Sequence, residues 1–387
     1  MFFFDFGVSI YFFFFNLFLS GRGYSEAQLG LLTGTMAAGN LAGALPAARL
    51  IRRIGLRNAL ITCLAAAPVV LCARSLTPSF PVQICLAFVT GVALCIWAVC
   101  ISPITAAITT ERKRPLAFSL VFSLGIGIGA AGALAGSRMP GLFSQHLGNA
   151  GPMGADQLTL IAACCIAALA LIPALRLGRC GGAVPTRPGP LFTPAVRRML
   201  PAVGIWGLVT GSFAPFGNVF LATHLRLSLH SVGTVFSVSQ VCQVAAVLCA
   251  PFVFRRLGLS KGIFAMQMGT AICFILLALI SHPAPAGMIY VALTGLQYMG
   301  EPGLYSMMME IVPEEARGGA SASMALVLGA AQLIAAAAAG WSFTNLGYPL
   351  ALSVIAMIAL TAGVLFRTVA PAERHGLVPC GNGATVE

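Results

Sequence analysis

The chain has 387 residues, 58% of them apolar and only 8% charged, with a mean hydropathy of +0.93 and a formal net charge of +12. Soluble domains carry roughly 25% charged residues; so few cannot cover a water-exposed surface, and the composition excludes an ordinary soluble fold in favour of an integral membrane protein. The positive charge does not point to nucleic acid, because the basic residues sit in short loops between apolar runs, where lipid headgroups and topology account for them.

A helix needs about 20 apolar residues to cross the hydrocarbon core. Apolar runs broken by charge or by Gly/Pro turns predict twelve spans, near 2–20, 28–50, 58–76, 80–108, 116–137, 158–175, 200–222, 230–253, 260–280, 286–311, 319–340 and 349–367. The opening "MFFFDFGVSIYFFFFNLFLS" has no basic leader and no small-residue cleavage site, so it reads as the first span and not as a signal peptide. Met1 falls almost at the membrane edge, which leaves room for a short upstream segment. Most of the 12 cysteines lie inside apolar runs without metal-ligand spacing, as small apolar residues do. No cofactor is expected.

Charge orients the chain. With the N-terminus cytoplasmic, 18 of the 22 basic residues fall on the inside and only Arg22, Arg74, Arg138 and Arg226 on the outside. That asymmetry follows the positive-inside rule and an even span count, so both termini are expected in the cytoplasm, with a bacterial inner membrane as the location. The inside segment 176–199 is rich in Pro, Gly and Arg and reads as a linker. It divides the chain into an N-terminal six-span unit (1–175), the linker, a C-terminal six-span unit (200–370) and a tail (371–387). The outside loop near 138–157 shows no clear structure.

The two units match. At an offset of 203 residues Ser25 pairs with Ser228, Gly30 with Gly233, Arg52 with Arg255, Arg53 with Arg256, Gly55 with Gly258, Glu111 with Glu314 and Arg114 with Arg317. "NLFL" (16–19) matches "NVFL" (218–221) at an offset of 202. Two units in one orientation are the parallel-repeat plan of secondary transporters.

The basic loop 52–57, its copy 255–261 and "PEEARGGA" (313–320) resemble the major facilitator superfamily over essentially the whole chain. The resemblance implies an all-α membrane fold of twelve transmembrane helices in two six-helix bundles related by a parallel pseudo-repeat. It also implies a solute cavity between them, and a transporter that is not an enzyme. The family's loop after span 2 has an aspartate where this chain has Arg52, and Ala48 stands for its first glycine. No arginine occurs in "CLAFVTGVALCIWAVC" (85–100), and "GIGIGAAGALAG" (125–136) lacks the Gly-Pro pair of antiporters.

Within that frame Glu301, mid-span beside Pro302, is the leading candidate proton carrier, because an intramembrane carboxyl is costly unless it serves a cavity; a structural bond within its helix is the alternative. Asp5 is a second candidate. Asn16 and Asn218, at repeat-equivalent places, either contact solute or join helices. Gln240, Gln243 and Gln297, with Tyr298 and Tyr305, are further cavity candidates. Arg52, Arg53, Gly55, Glu111, Arg114, Arg255, Arg256, Gly258, Glu314 and Arg317 either mark topology or form a cytoplasmic gate of breakable ion pairs. The glycines at 125, 129, 132 and 136 are expected to allow close helix packing. The expected activity is proton-coupled symport of a small solute by a monomer in a lipid bilayer. A drug-type efflux antiporter and a non-transporting membrane sensor are the alternatives.

Overall fold

The computed structural model describes residues 2–107, 109, 114–146, 152–178, 193–313 and 317–369. Among them are fourteen α-helices, one π-helical turn and no strand. In chain order these are α1 (Phe2–Gly21), α2 (Glu26–Ile54), α3 (Leu56–Leu76), α4 (Phe80–Ala107), α5 (Arg114–His146), α6 (Pro152–Ala168) and α7 (Leu171–Leu175). There follow α8 (Pro194–Phe213), α9 (Gly217–Val219), the π-turn (Phe220–His224), α10 (Leu229–Leu257), α11 (Leu259–Leu279), α12 (Pro283–Ile311), α13 (Arg317–Leu346) and α14 (Tyr348–Val369).

Among the described residues eight stretches are long and apolar enough to cross a membrane, and the bent α8–α9–π segment makes a ninth. Helices α2, α5 and α12, of 29, 33 and 29 residues, are not among them. They are long enough, since 29 residues rise about 43 Å. Each carries Gly, Thr or Gln and flanking charge, which dilutes its hydropathy.

The repeat is written into the helix ends. Ser25 caps α2 in a reciprocal box with Gln28, and Ser228 caps α10 by accepting from the Ser231 amide. Gly55 ends α2 and starts α3 at φ 82°, ψ 160°; Gly258 does the same between α10 and α11 at φ 81°, ψ 156°. A positive φ with that ψ is glycine's territory, so each joint is a single residue with no slack. Packing repeats as well: α1 lies on α5 and α6 as α8 lies on α13 and α14, while α2 contacts α4 as α10 contacts α12.

Several expectations need correcting. Residues 200–222 do not form one helix. The helix begins at Pro194, inside the expected linker, and breaks at Pro215, with a 40° bend before the π-turn. Proline removes a backbone donor and its ring clashes with the preceding turn, so the break is local in cause. The expected sixth span lies within one apolar stretch, Gly154–Leu175, in which a turn over 169–170 separates α6 from α7. The loop expected from 138 is helical as far as His146, because α5 continues through Pro140. Glu111 and Glu314 lie outside the described residues, as do the Arg114 side chain, 179–192 of the linker and the tail.

Candidate functional site

Two lobes of a central cavity, about 540 and 550 Å³, share Thr33, Met36, Ala214 and Pro215 among their lining residues. The first lobe is walled by α1, α2, α5, α10, the break after α8, Arg74 of α3 and Tyr298 of α12. The second is walled by α2, α4, α8, α12 and α13. The three helices with diluted hydropathy are therefore all wall helices, and a wet wall is the physical reason for their polar content.

One end of this cavity is shut. Backbones of α2 and α13 touch where Gly30 meets Ala336 O, and Gly34 approaches Leu333 O so that a Cβ there would sit 2.9 Å away. The matching seam joins α10 to α5: a Cβ on Gly233 would lie 3.0 Å from Ala133 O, and Ser237 Oγ donates to Ala130 O at 2.8 Å. Positions 30 and 233, 34 and 237, 133 and 336, and 130 and 333 are all 203 residues apart, so the two seams are the same contact made twice. The α2–α13 seam is reinforced by Ala27 N donating to Thr344 Oγ1 at 2.9 Å, and beside it Tyr348 O–H of α14 donates to Glu26 Oε1 at 3.3 Å. Behind it Phe213, Phe216, Phe343 and Tyr348 pack edge-to-face or stacked.

Asn16 and Asn218 pin the centre of the shut end. Asn16 Nδ2 donates to Pro215 O and Asn218 Nδ2 to Phe13 O, both at 2.7 Å. The chemistry follows from the helix break. Asn218 Oδ1 takes the Val219 amide at 2.9 Å, which in an unbroken helix would bond Pro215 O; that carbonyl turns instead to Asn16. Both asparagines also line the first lobe, so the two readings offered for them are not exclusive.

Toward the other end, which bears the basic loops, the packing of α5 loosens among the described residues. Gly125 and Gly127 of α5 have nothing near their Cβ positions, whereas Gly129 meets Gln240, Gly132 meets Ser9 and Gly136 meets Phe13. Close packing, expected at four glycines, thus occurs at three, and Gly125 lines the cavity. Glu301 and Tyr305 are exposed into the second lobe, and Tyr298 into the first. The Glu301 carboxyl makes no hydrogen bond or ion pair with any described residue, so the expected alternative of an intrahelical bond is not found. Gln240 and Gln243 line the first lobe; Gln297 is not among the lining residues of either. Asp5 is partly buried near the start of α1 with one carboxyl oxygen unpartnered, outside both linings.

At the basic loops Arg52, Arg53, Arg255, Arg256 and Arg317 are exposed, and none makes an ion pair among the described residues. Arg57 behaves differently. Its Nε and Nη2 donate to Leu177 O and Leu175 O at 2.6 and 2.8 Å, closing the C-terminal end of α7.

Arg74 is the residue that sequence reasoning missed. The charge tally places it with the outside loops, but it is 3% exposed, at the last turn of α3, and lines the first lobe. Its guanidinium carbon lies 4.4 Å from the Phe15 ring centroid, and Nε donates to Gln83 Oε1 at 3.4 Å. Gln83, itself fully buried, is held by donating to Arg74 O at 2.5 Å and Thr77 O at 2.9 Å. The signal was in the repeat: 203 residues on, Arg74 and Gln83 correspond to Leu277 and Ala286, both buried. No group of three or more His, Cys, Asp or Glu side chains able to hold a metal ion occurs among the described residues.

The sequence matches the model of the family described as Major Facilitator Superfamily over residues 1–214 and 199–381. No curated protein matches. Among solved structures the fold is similar to the nucleoside transporter NupG, with a TM-score of 0.74 at 11% identity over 95% of this chain and 96% of that one. It is also similar to a bacterial homologue of the iron transporter ferroportin in its inward-facing state, at a TM-score of 0.68 and 14% identity over 95% and 96%. A bacterial metal transporter is similar with a TM-score of 0.70 and 14% identity, over the same shares of the two chains. At such identities the likeness is one of fold.

Proposed function

The chain belongs to the major facilitator superfamily, and we propose that it carries a small solute across a bilayer by alternating access, coupled to proton symport. The observation that carries this reading is the cavity between repeat-related seams, closed where those seams meet and, among the described residues, loosely packed along α5 toward the basic loops. Twelve spans in two six-helix bundles, 1–175 and 200–370, rock about the cavity so that the seams part as the basic-loop end closes. The 18-to-4 charge split supports a cytoplasmic basic-loop end and cytoplasmic termini, in a bacterial inner membrane. The state described is then open to the cytoplasm. A monomer suffices, because both seams lie within one chain.

Proton coupling rests on Glu301. A carboxyl exposed in a cavity, without a fixed partner, can take up and release a proton as its surroundings alternate between wet and closed. At the repeat-equivalent position the other half has Ala98, so the fold does not need an acid there. Glu301→Gln keeps the shape and removes the titration. In proteoliposomes it is expected to abolish uptake driven by an imposed pH gradient while leaving solute exchange at equal pH intact. Normal gradient-driven uptake in that variant would sink the proton-carrier assignment.

A further inference from the structure

Arg74 poses an unsolved charge problem inside the cavity. Of its three guanidinium nitrogens, Nε alone has a hydrogen-bond partner among the described residues, and Nη1 is buried with none there. No carboxylate among the described residues pairs with it, and Asp156 on α6 interacts with Arg22 instead. A buried, unpaired cation is costly. The cheap escape is to snorkel to the interface, which a residue two places from a helix end can do readily. The structure holds it inward instead: Gln83 fixes Nε from one side and the Phe15 face supports the guanidinium from another. Gln83 also ties the last carbonyls of α3, but the pair is not a requirement of the repeat, which has Leu277 and Ala286 in the same places.

We propose that Arg74 anchors an anion subsite, at which the cavity takes up a small monocarboxylate with an apolar or aromatic body. Within the first lobe the charge count favours a single negative charge, with Glu301 standing in the second. Among the described residues lining this lobe Arg74 alone is charged, so a dianion would leave a charge unmatched. A phosphate monoester, at about −1.5 to −2 near neutral pH, fits less well for that reason. A guanidinium matches a planar carboxylate with parallel N–H donors. Elsewhere in the lining of the same lobe Phe12, Phe13 and Phe236 offer ring surface for an apolar body, and Gln240 and Gln243 offer amides. Gln83 is a positioning residue that keeps the guanidinium aimed inward.

This inference rests on the transport reading and names its substrate class. The full chain in lipid nanodiscs is titrated, at fixed ionic strength and with thermal shift as readout, with benzoate, phenylacetate and hexanoate against benzamide and phenylacetamide. At least one acid is expected to bind tenfold or more tightly than its amide. Arg74→Gln is expected to erase that preference, Arg74→Lys to keep part of it, and Gln83→Ala to weaken it severalfold. If Arg74→Gln does not fold, the other two variants decide. Equal binding of acid and amide, an unchanged preference in the variants, or binding of no acid overturns the proposal. Counterflow in proteoliposomes separates the two readings. Neutral solutes crossing without acid binding would remove the subsite and keep transport; Arg74-dependent acid binding with no solute crossing would do the reverse.

Discussion

The shut and open ends of the cavity are made of different materials. The shut end is joined by backbone: glycines against carbonyls, and amides of Asn16 and Asn218 on carbonyls of Pro215 and Phe13. The open end is rimmed by long exposed arginines with no ion pair among the described residues. Close backbone packing gains many small dispersion contacts but tolerates no added volume. Exposed charges gain little and tolerate much. The two ends should therefore fail in opposite ways.

The sharpest break is a wedge in the shut end. Gly340→Leu drives a side chain at Glu26 O, and Gly233→Leu does the same at Ser137 on the matching seam. Each is expected to hold the seam apart, lower uptake more than tenfold, and raise labelling of a Thr344→Cys reporter by an impermeant maleimide in a cysteine-free background. If only one of the two acts, the seams are not mechanically equivalent.

A milder break removes the asparagines. Asn16→Ala leaves Pro215 O without its partner, and Asn218→Ala frees both Phe13 O and the Val219 amide. A lost buried bond costs about 1–3 kcal/mol, so each shifts the balance between states by roughly five- to 150-fold toward opening of this end. Asn218→Ala should shift it further, as it orphans two groups. The same maleimide labelling measures both.

The smallest effects are expected among the arginines, where they sharpen the comparison. Arg57→Ala gives up two bonds to the end of α7 and should lower stability by about 1–2 kcal/mol, read as a fall in melting temperature, with labelling of the shut end unchanged. Arg52→Ala or Arg256→Ala should alter stability by no more than about 0.5 kcal/mol. If they form a gate, their effect will appear in uptake rate alone.

Much of this was readable from the residues. Serine caps, paired glycines and matched arginines recur at a fixed offset, and such local signals survive folding because they act on their own backbone. The break at Pro215 was missed because a short apolar run with one proline reads as an uninterrupted span until the freed carbonyl finds Asn16. The asparagine pair could be seen, but not its choice between solute and helix, because that choice depends on which carbonyls are freed elsewhere. Arg74 was misread for a deeper reason. Near a span end an arginine pointing outward and one pointing inward look identical, and only Gln83 and Phe15, 9 and 59 residues away, decide the direction. The same limit applies to α2, α5 and α12, whose weak apolar signal is the mark of a wet wall and not of a shorter helix.

The bonds of Asn16 and Asn218 have a consequence for how such a molecule arises. Donors 16 and 218 and acceptors 13 and 215 are each 202 residues apart, so each half holds both hook and eye. That is an isologous contact, the kind a single unit makes with its own copy about a twofold axis. A gene for one half would have encoded a working pair before any fusion. Joining the copies fixed their ratio at one to one and released each from having to match the other. Arg74 where the other half has Leu277, and Glu301 where it has Ala98, are what that freedom permits: one half keeps a cation, the other an acid, at places a symmetric pair would have had to fill alike.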